Sequence, residues 1–374
     1  MWGKRMRILI YGMTEQFGGV EKFLLERISA LIKIGYDIDV TFSDGAVVEY
    51  EEKLREHGIQ IQRIARLSNP IAYYKSLVKL IKHGRYDLLY CNIGFNNAIL
   101  YKAAKRGGAK LLVHSHNTDV DAPSILKRYI LKTYHYISKL AASNLIDYRF
   151  ACSKDAGEWL FRTGDTYHVV HNAIDVFQFR FNNDIRVKMR QELNLQNHFV
   201  VGHVGRLSYQ KNQTFLLKIF KEILKLKHNS ELLIIGQGED LPVLRVLALK
   251  LGCADKVHFL GHRDDVNYLM QAMDCFVLPS CFEGLGLAGI EAQAASLPAF
   301  FSDKIPAEAG VSSLAHFISL NEEPIYWAQA ILDASNCPRT DVSGIIKMSG
   351  YDLTTEIKKF IMLFRYIEGD TKHD

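Results

Sequence analysis

The feature that most limits how this chain can fold is a repeated local pattern: a short apolar run, a loop containing glycine, then an amphipathic helix. It begins at Met6–Tyr11, passes Gly12, and enters a helix running from Gly18-Gly19 to about Ile34. Further strands are predicted at Asp37–Ser43, Ile59–Ile64, Asp87–Asn92, Lys110–His114 and Tyr148–Ser153, with helical stretches between them. The pattern restarts at Phe199–Val204 and helix Gln213–Lys227, then continues through Glu231–Ile235, Val257–Leu260 and Phe276–Leu278. Strands alternating with helices predict an α/β fold, with parallel sheets covered on both faces and ligands bound beyond the carboxyl ends of the strands. A length of 374 residues exceeds one ordinary core, so two doubly wound, Rossmann-like domains are expected. The polar crossing Val176–Asn197 is taken as the boundary region, giving domains of 1–176 and 177–350.

Bulk properties narrow the function. A hydrophobic content of 48% and a charged content of 23% are those of a soluble globular protein. The net charge of +5 suits an anionic ligand or an acidic membrane surface and is too small to argue for nucleic acid. The cysteines are scattered without Cys-x-x-Cys spacing, which predicts reduced residues in a cytoplasmic protein. The run Ile8–Tyr11 is too short for a signal peptide, and no run approaches a membrane span, so any membrane contact is expected to be peripheral, at the inner face of the cell membrane. The glycines after the first strand do not spell Gly-x-Gly-x-x-Gly, which disfavours a dinucleotide site.

The most informative stretch is Phe276–Pro298. A strand ends at Pro279, a loop carries Glu283, Gly284, Leu285 and Gly286, and an apolar helix runs from about Leu287 to Pro298. Glu291 is the only charged residue between Gly284 and Ser302. A carboxylate among Ala, Gly, Ile and Leu costs several kcal/mol unless paired. Facing a ligand, it could accept hydrogen bonds from the vicinal hydroxyls of a ribose. It could equally lie on the helix's one solvent-facing stripe or pair with a lysine from elsewhere. A second loop, Gly205 to Asn212, holds Arg206 and Lys211 just before a helix. Two cations with free N–H groups suit a diphosphate, and two solvated cations are the plain alternative.

Together these blocks resemble the large retaining glycosyltransferase family four, in particular its bacterial capsule and exopolysaccharide members. Glu283 and Glu291 match the Glu-x7-Glu signature, and Arg206 and Lys211 match the Gly-Arg-x-x-x-x-Lys loop. The resemblance implies the GT-B fold, with two Rossmann-like domains facing a central cleft and the terminal segment 351–374 crossing back onto the first domain. It also implies that Glu291 holds the nucleotide ribose and that Glu283 reaches the donor sugar. The backbone of Gly284, Leu285 and Gly286 would face sugar or phosphate, with Arg206 and Lys211 on the diphosphate. Gly18 and Gly19 match a wall near the donor phosphates and acceptor. Asn172 lies in His171-Asn172-Ala173-Ile174-Asp175, similar to the family's Asn-Gly-Ile-Asp turn with alanine in place of glycine. Gly236 follows a strand and suits a base or phosphate edge, while His262 and Arg263 fall near the nucleobase. A histidine ending the fifth strand would position the sugar; His116 is the first choice and His114 the second.

Two segments carry other possibilities. His114, His116, Asp119 and Asp121 could form a metal site, which would make the chain a metal-dependent hydrolase, although Thr118 spoils a His-x-His-x-Asp-His register. Pro123–Leu140 is basic and aromatic, with Lys127, Arg128, Lys132 and Lys139 and no acid between Asp121 and Asp147. It is either an ordinary amphipathic helix or a surface for anionic lipid or a lipid-diphosphate acceptor. The resemblance implies an enzyme that moves a hexose or N-acetylhexosamine from a nucleotide diphosphate sugar, UDP-linked, to a growing glycan or lipid-linked glycan. It needs no metal or other cofactor and uses no classical nucleophile. A non-catalytic nucleotide-sugar-binding subunit is the other alternative.

Overall fold

The structure, a computed structural model, describes residues 6–16, 18–120, 124–334 and 339–371. Contacts divide the chain into two compact units. One runs to Asn172 and resumes at Thr354; the other is Ala173–Leu353.

The first unit is built on a seven-stranded sheet. Its strands are β1 (Arg7–Tyr11), β2 (Asp37–Ser43), β3 (Gln60–Ile64), β4 (Leu88–Ile93), β5 (Lys110–Ser115), β6 (Tyr148–Ala151) and β7 (His168–Val169). They lie in the order β3-β2-β1-β4-β5-β6-β7, and every neighbouring pair is parallel. The period of two is visible in the packing. Ile8 and Ile10 of β1 enter one buried cluster with Phe23 and Tyr90, while Leu9 enters another, on the opposite face, with Leu77 and Tyr101. The terminal helix Leu353–Thr371 completes this core, burying Phe360, Phe364 and Ile367 beside Ile8 and Phe150.

The second unit has a six-stranded parallel sheet: β8 (Phe199–Val204), β9 (Ser230–Ile235), β10 (Val257–Gly261), β11 (Cys275–Leu278), β12 (Ala299–Ser302) and β13 (Ala315–Ile318). The order is β10-β9-β8-β11-β12-β13. Strand order therefore reverses between β1 and β4 in the first sheet and between β8 and β11 in the second. Those two reversals are where a doubly wound sheet opens a crevice for a ligand.

Several boundaries differ from expectation. Ile174, Val176 and Phe179 are buried in the second core, so the division falls after Asn172 rather than inside Val176–Asn197. Within that polar crossing lies a helix, Asn183–Glu192, which apolar periodicity could not reveal because it anchors through an arginine. Arg190 Nη1 donates to the Ala272 carbonyl at 2.8 Å and to Asp274 Oδ2 at 3.2 Å. Helices Leu241–Leu251, Val266–Ala272 and Pro324–Ala334 were not anticipated either. The helix expected to reach Pro298 stops at Ala294, because Ser296 turns left-handed at φ +58° and Leu297 N–H bonds back to the Ala292 carbonyl at 3.0 Å.

Candidate functional site

In the second unit the candidate residues gather at the reversal between β8 and β11. β8 delivers the loop Gly205–Asn212, and β11 delivers Pro279–Gly286. The two loops are stitched together by backbone and side chain. Cys281 N–H donates to the Gln210 carbonyl at 2.8 Å, and Asn212 Nδ2 donates to the Pro279 carbonyl at 3.1 Å. At the centre, Lys211 Nζ donates to Glu283 Oε1 at 2.5 Å. Glu283 Oε1 also accepts from Ser280 Oγ at 2.7 Å, and Oε2 from Gln210 Nε2 at 3.4 Å. The carboxylate side chain is only 6% exposed and the lysine's 17%, so this is a sheltered ion pair whose members depend on each other.

Behind the pair, Leu285 anchors the loop in the core. Gly284 and Gly286 are buried, and Gly286, at φ +83°, is the residue before helix Leu287–Ala294. That left-handed turn starts the helix at the carboxyl end of β11, where its first N–H groups favour an anion. Glu291 lies one turn into this helix and is 7% exposed, which rules out the solvent-facing stripe.

The neighbouring loops pack tightly against β8's. Gly236 is held at φ +134°, and a Cβ there would stand 2.1 Å from the Gly205 carbonyl oxygen, so only glycine fits. Leu207 N–H donates to the Gln237 carbonyl, and Gly236 N–H to the Gly261 carbonyl, both at 2.8 Å. Arg206 is exposed and paired with Glu239 at 3.1 Å. A solvent-exposed pair of this kind contributes under about 1 kcal/mol, so a diphosphate competes readily for the guanidinium. After β10, His262 Nε2 lies 3.5 Å from Asp264. Arg263 is turned onto Asp265 in a two-pronged bond of 2.7 and 2.6 Å, which holds the Asp265 carboxyl below its usual range.

The other candidates belong to the first unit. Gly18 precedes helix Gly19–Lys33, and its N–H donates to Glu21 Oε2 at 3.1 Å. Glu21 Oε1 accepts from Thr14 N–H at 2.8 Å, so this glutamate, beyond starting the helix, fixes the loop after β1. A Cβ at Gly18 would stand 3.1 Å from Glu21 Oε2, whereas one at Gly19 would meet nothing within 4 Å. Asn172 is partly buried, and its side-chain oxygen has no hydrogen-bond partner among the described residues.

The two histidines differ. His114, on β5, is fully buried among Phe23, Tyr90 and Phe150, with Nδ1 2.7 Å from the Tyr90 hydroxyl. His116, the first residue beyond β5, is partly exposed, and its Nε2 donates to Asn92 Oδ1 at 2.8 Å. Burial lowers both, His116 to about 3 and His114 well below its ordinary value, so both rings are neutral at pH 7. Below pH 6.5 the unfolded chain protonates His114 while the folded chain does not, so acid weakens the fold. His116, at about 3, is expected by the same linkage to cost about 2 kcal/mol between pH 6.5 and 5. Urea unfolding across that range should show the combined loss, and His114→Phe should make the dependence shallower, with His116, His135 and His203 keeping the rest; an unaltered slope in that variant would disprove the assignment.

The His/Asp group is not assembled as a ligand set. Asp119 is turned to Lys132 at 2.8 Å, His114 faces Tyr90, and Asp121 lies outside the described residues. Among the described residues no three His, Cys, Asp or Glu side chains are placed to hold a metal ion. Sequence reasoning did not assign Asn92, which accepts from His116 in the first unit, or Gln210 and Ser280, which donate to Glu283 in the second. The partner of Asn92 lies across a strand pair and that of Gln210 in a facing loop, while Ser280 bonds within its own loop; the only sequence signal was a polar residue ending or following an apolar strand.

Comparison with known proteins agrees with this architecture. Residues 17–177 match the family described as Glycosyltransferase Family 4, and residues 184–340 match Glycosyl transferases group 1. The chain is 26% identical to the Bacillus subtilis protein named "Putative glycosyltransferase EpsF", over 96% of each protein. It is 27% identical to the Escherichia coli UDP-Gal:alpha-D-GlcNAc-diphosphoundecaprenol alpha-1,3-galactosyltransferase, over 80% of each. The crystal structure of Anabaena HepE in complex with UDP and glucose superimposes with a TM-score of 0.77 at 20% identity, covering 96% of this chain and 100% of that one. The chain is therefore a glycosyltransferase of the GT-B type, with a family-four domain followed by a group-1 domain.

Proposed function

We propose that the chain is a retaining transferase that moves a hexose or N-acetylhexosamine from a UDP-sugar to a growing, lipid-linked capsular or exopolysaccharide glycan. The observation that carries this reading is the joining of Lys211 to Glu283 where strand order reverses, with Glu291 buried on the helix that starts there. A diphosphate meets cations and helix N–H groups at this point, and the ribose hydroxyls meet a sheltered carboxylate. The E. coli relative's use of UDP-Gal and a diphosphoundecaprenol-linked acceptor, and HepE's complex with UDP and glucose, support the donor and acceptor classes.

In the proposed reaction the bond from the sugar's anomeric carbon to the diphosphate oxygen breaks. The acceptor oxygen bonds to the same carbon on the face the diphosphate leaves, and the acceptor proton passes to a donor phosphate oxygen. UDP departs. Arg206 and Lys211 stabilise charge growing on the diphosphate without a metal ion. Glu291 accepts from the ribose hydroxyls, and Glu283 with Gly284, Leu285 and Gly286 orients the sugar. His116, Gly18, Gly19 and Asn172 serve the sugar, phosphates and acceptor, and Gly236, His262 and Arg263 the base. Calorimetric titration with UDP, GDP and ADP, with and without EDTA, tests the reading. UDP alone should bind, indifferently to EDTA, and Glu291→Ala should weaken it roughly tenfold or more, about 1.4 kcal/mol. Unchanged affinity in that variant, or binding lost to EDTA, would overturn the assignment.

A further inference from the structure

Helix Ile125–Ala142, the basic and aromatic segment, buries little of itself. His135, Ser138 and Ala142 are its buried residues. Leu126, Tyr129, Ile130, Tyr136, Ile137 and Leu140 are each between 51% and 74% exposed. At 100° per residue these six fall within an arc of about 120°, opposite the buried three. An apolar stripe broken only by Thr133, whose hydroxyl donates to the Tyr129 carbonyl at 2.9 Å, along an 18-residue helix roughly 27 Å long, is more than scattered surface hydrophobics. The helix is not long and apolar enough to cross a membrane.

We infer that this stripe rests on the surface of an anionic lipid bilayer, with the helix lying in the plane of the headgroups. Charge decides between occupants. By helical geometry Arg128, Lys132 and Lys139 run along one border of the stripe and Lys127 stands beyond the other. Lys132 is steadied on that border by Asp119 at 2.8 Å, and Lys139 by the Glu158 and Trp159 carbonyls at 2.9 and 2.8 Å. No acid occurs on the helix. A second copy packed stripe to stripe would bring two basic helices together, with no acid on either helix. Anionic headgroups complement this basic helix, while the apolar side chains enter the acyl boundary and the two tyrosines sit at headgroup level. The inference stands apart from the transfer chemistry, since it involves none of the residues placed on the donor.

Flotation of the purified full chain with vesicles of phosphatidylcholine, with and without phosphatidylglycerol, tests it. The chain should float with phosphatidylglycerol vesicles, less so at high salt, and only weakly with phosphatidylcholine alone. Tyr129→Gln/Ile130→Gln/Ile137→Gln alters only exposed positions and should retain its circular dichroism spectrum while floating at least about tenfold less. Three results would overturn the inference: no flotation of the wild type on anionic vesicles, equal flotation of the triple variant, or a dimer in sedimentation that the variant abolishes while neither protein floats. The last would assign the face to a second copy.

Discussion

Replacing Lys211 with alanine should cut transferase turnover by about 10²–10³-fold, the range seen when one preorganised group is removed from the charge that develops in a transition state. The geometry gives this variant two separable consequences. Nζ is bonded to Glu283 Oε1 at 2.5 Å in a loop pair that excludes most water. Its loss removes a cation from the diphosphate, and it also strands a carboxylate whose side chain is 6% exposed, with Ser280 and Gln210 still donating to it. Breaking a sheltered pair in this way typically costs about 3–5 kcal/mol, so loop disorder alone could slow the enzyme. Because Glu283 is itself placed on the sugar, comparing Lys211→Ala/Glu283→Gln with Glu283→Gln alone separates the two effects. The amide no longer needs a cation, so thermal stability should recover while kcat stays well below that of Glu283→Gln. Equal kcat in the two variants would mean that Lys211 only holds Glu283 in place. Wild-type kinetics in Lys211→Ala would remove both roles.

That pair also shows how far the residues alone could lead. The composition of the Gly205–Asn212 loop pointed to phosphate, and the family resemblance carried by Glu283 and Glu291 implied a nucleotide sugar. What the order of residues did not reveal is that Lys211 and Glu283 meet. Their meeting depends on β8 and β11 being neighbours, and this long-range pairing skips β9 and β10. Glu291 was legible in another way. Its apolar neighbours forecast burial, and the structure buries it without requiring a different helix. The alternation of strands and helices was read nearly throughout because each strand's hydrophobicity is local. Helix Asn183–Glu192 escaped because its anchor, Arg190, is polar and finds its partners on Ala272 and Asp274, far along the chain. The His114/His116 pair stood out as chemistry, yet only the packing of Tyr90 and Asn92 distinguishes the buried ring from the partly exposed one.

The terminal helix offers the largest expected effect on stability, because the aromatic core of the first unit is closed by residues from the far end of the chain. Phe364 is fully buried. Its ring lies 4.6 Å from Phe360, 5.7 Å from Tyr90 and 6.4 Å from both Tyr36 and Phe150, several of them edge-on. Phe364→Ala removes the transfer free energy of a benzyl group and leaves a cavity walled by rings too rigid to collapse into it. The first unit should lose about 3–5 kcal/mol. Two units seldom unfold as one transition, so a single midpoint is a poor readout. Hydrogen–deuterium exchange resolved by peptide is the better measurement. Exchange should rise across β1, β4, β5 and the helix itself, while peptides from β8 to β11 keep wild-type protection, since every ring around Phe364 belongs to the first unit. Truncation of the chain before Leu353 should go further and expose the faces of Ile8, Ile10 and Phe150. Wild-type exchange in the first unit of Phe364→Ala would mean that its core closes without the helix, and an equal rise in both units would mean that the cost is not local to this aromatic cluster.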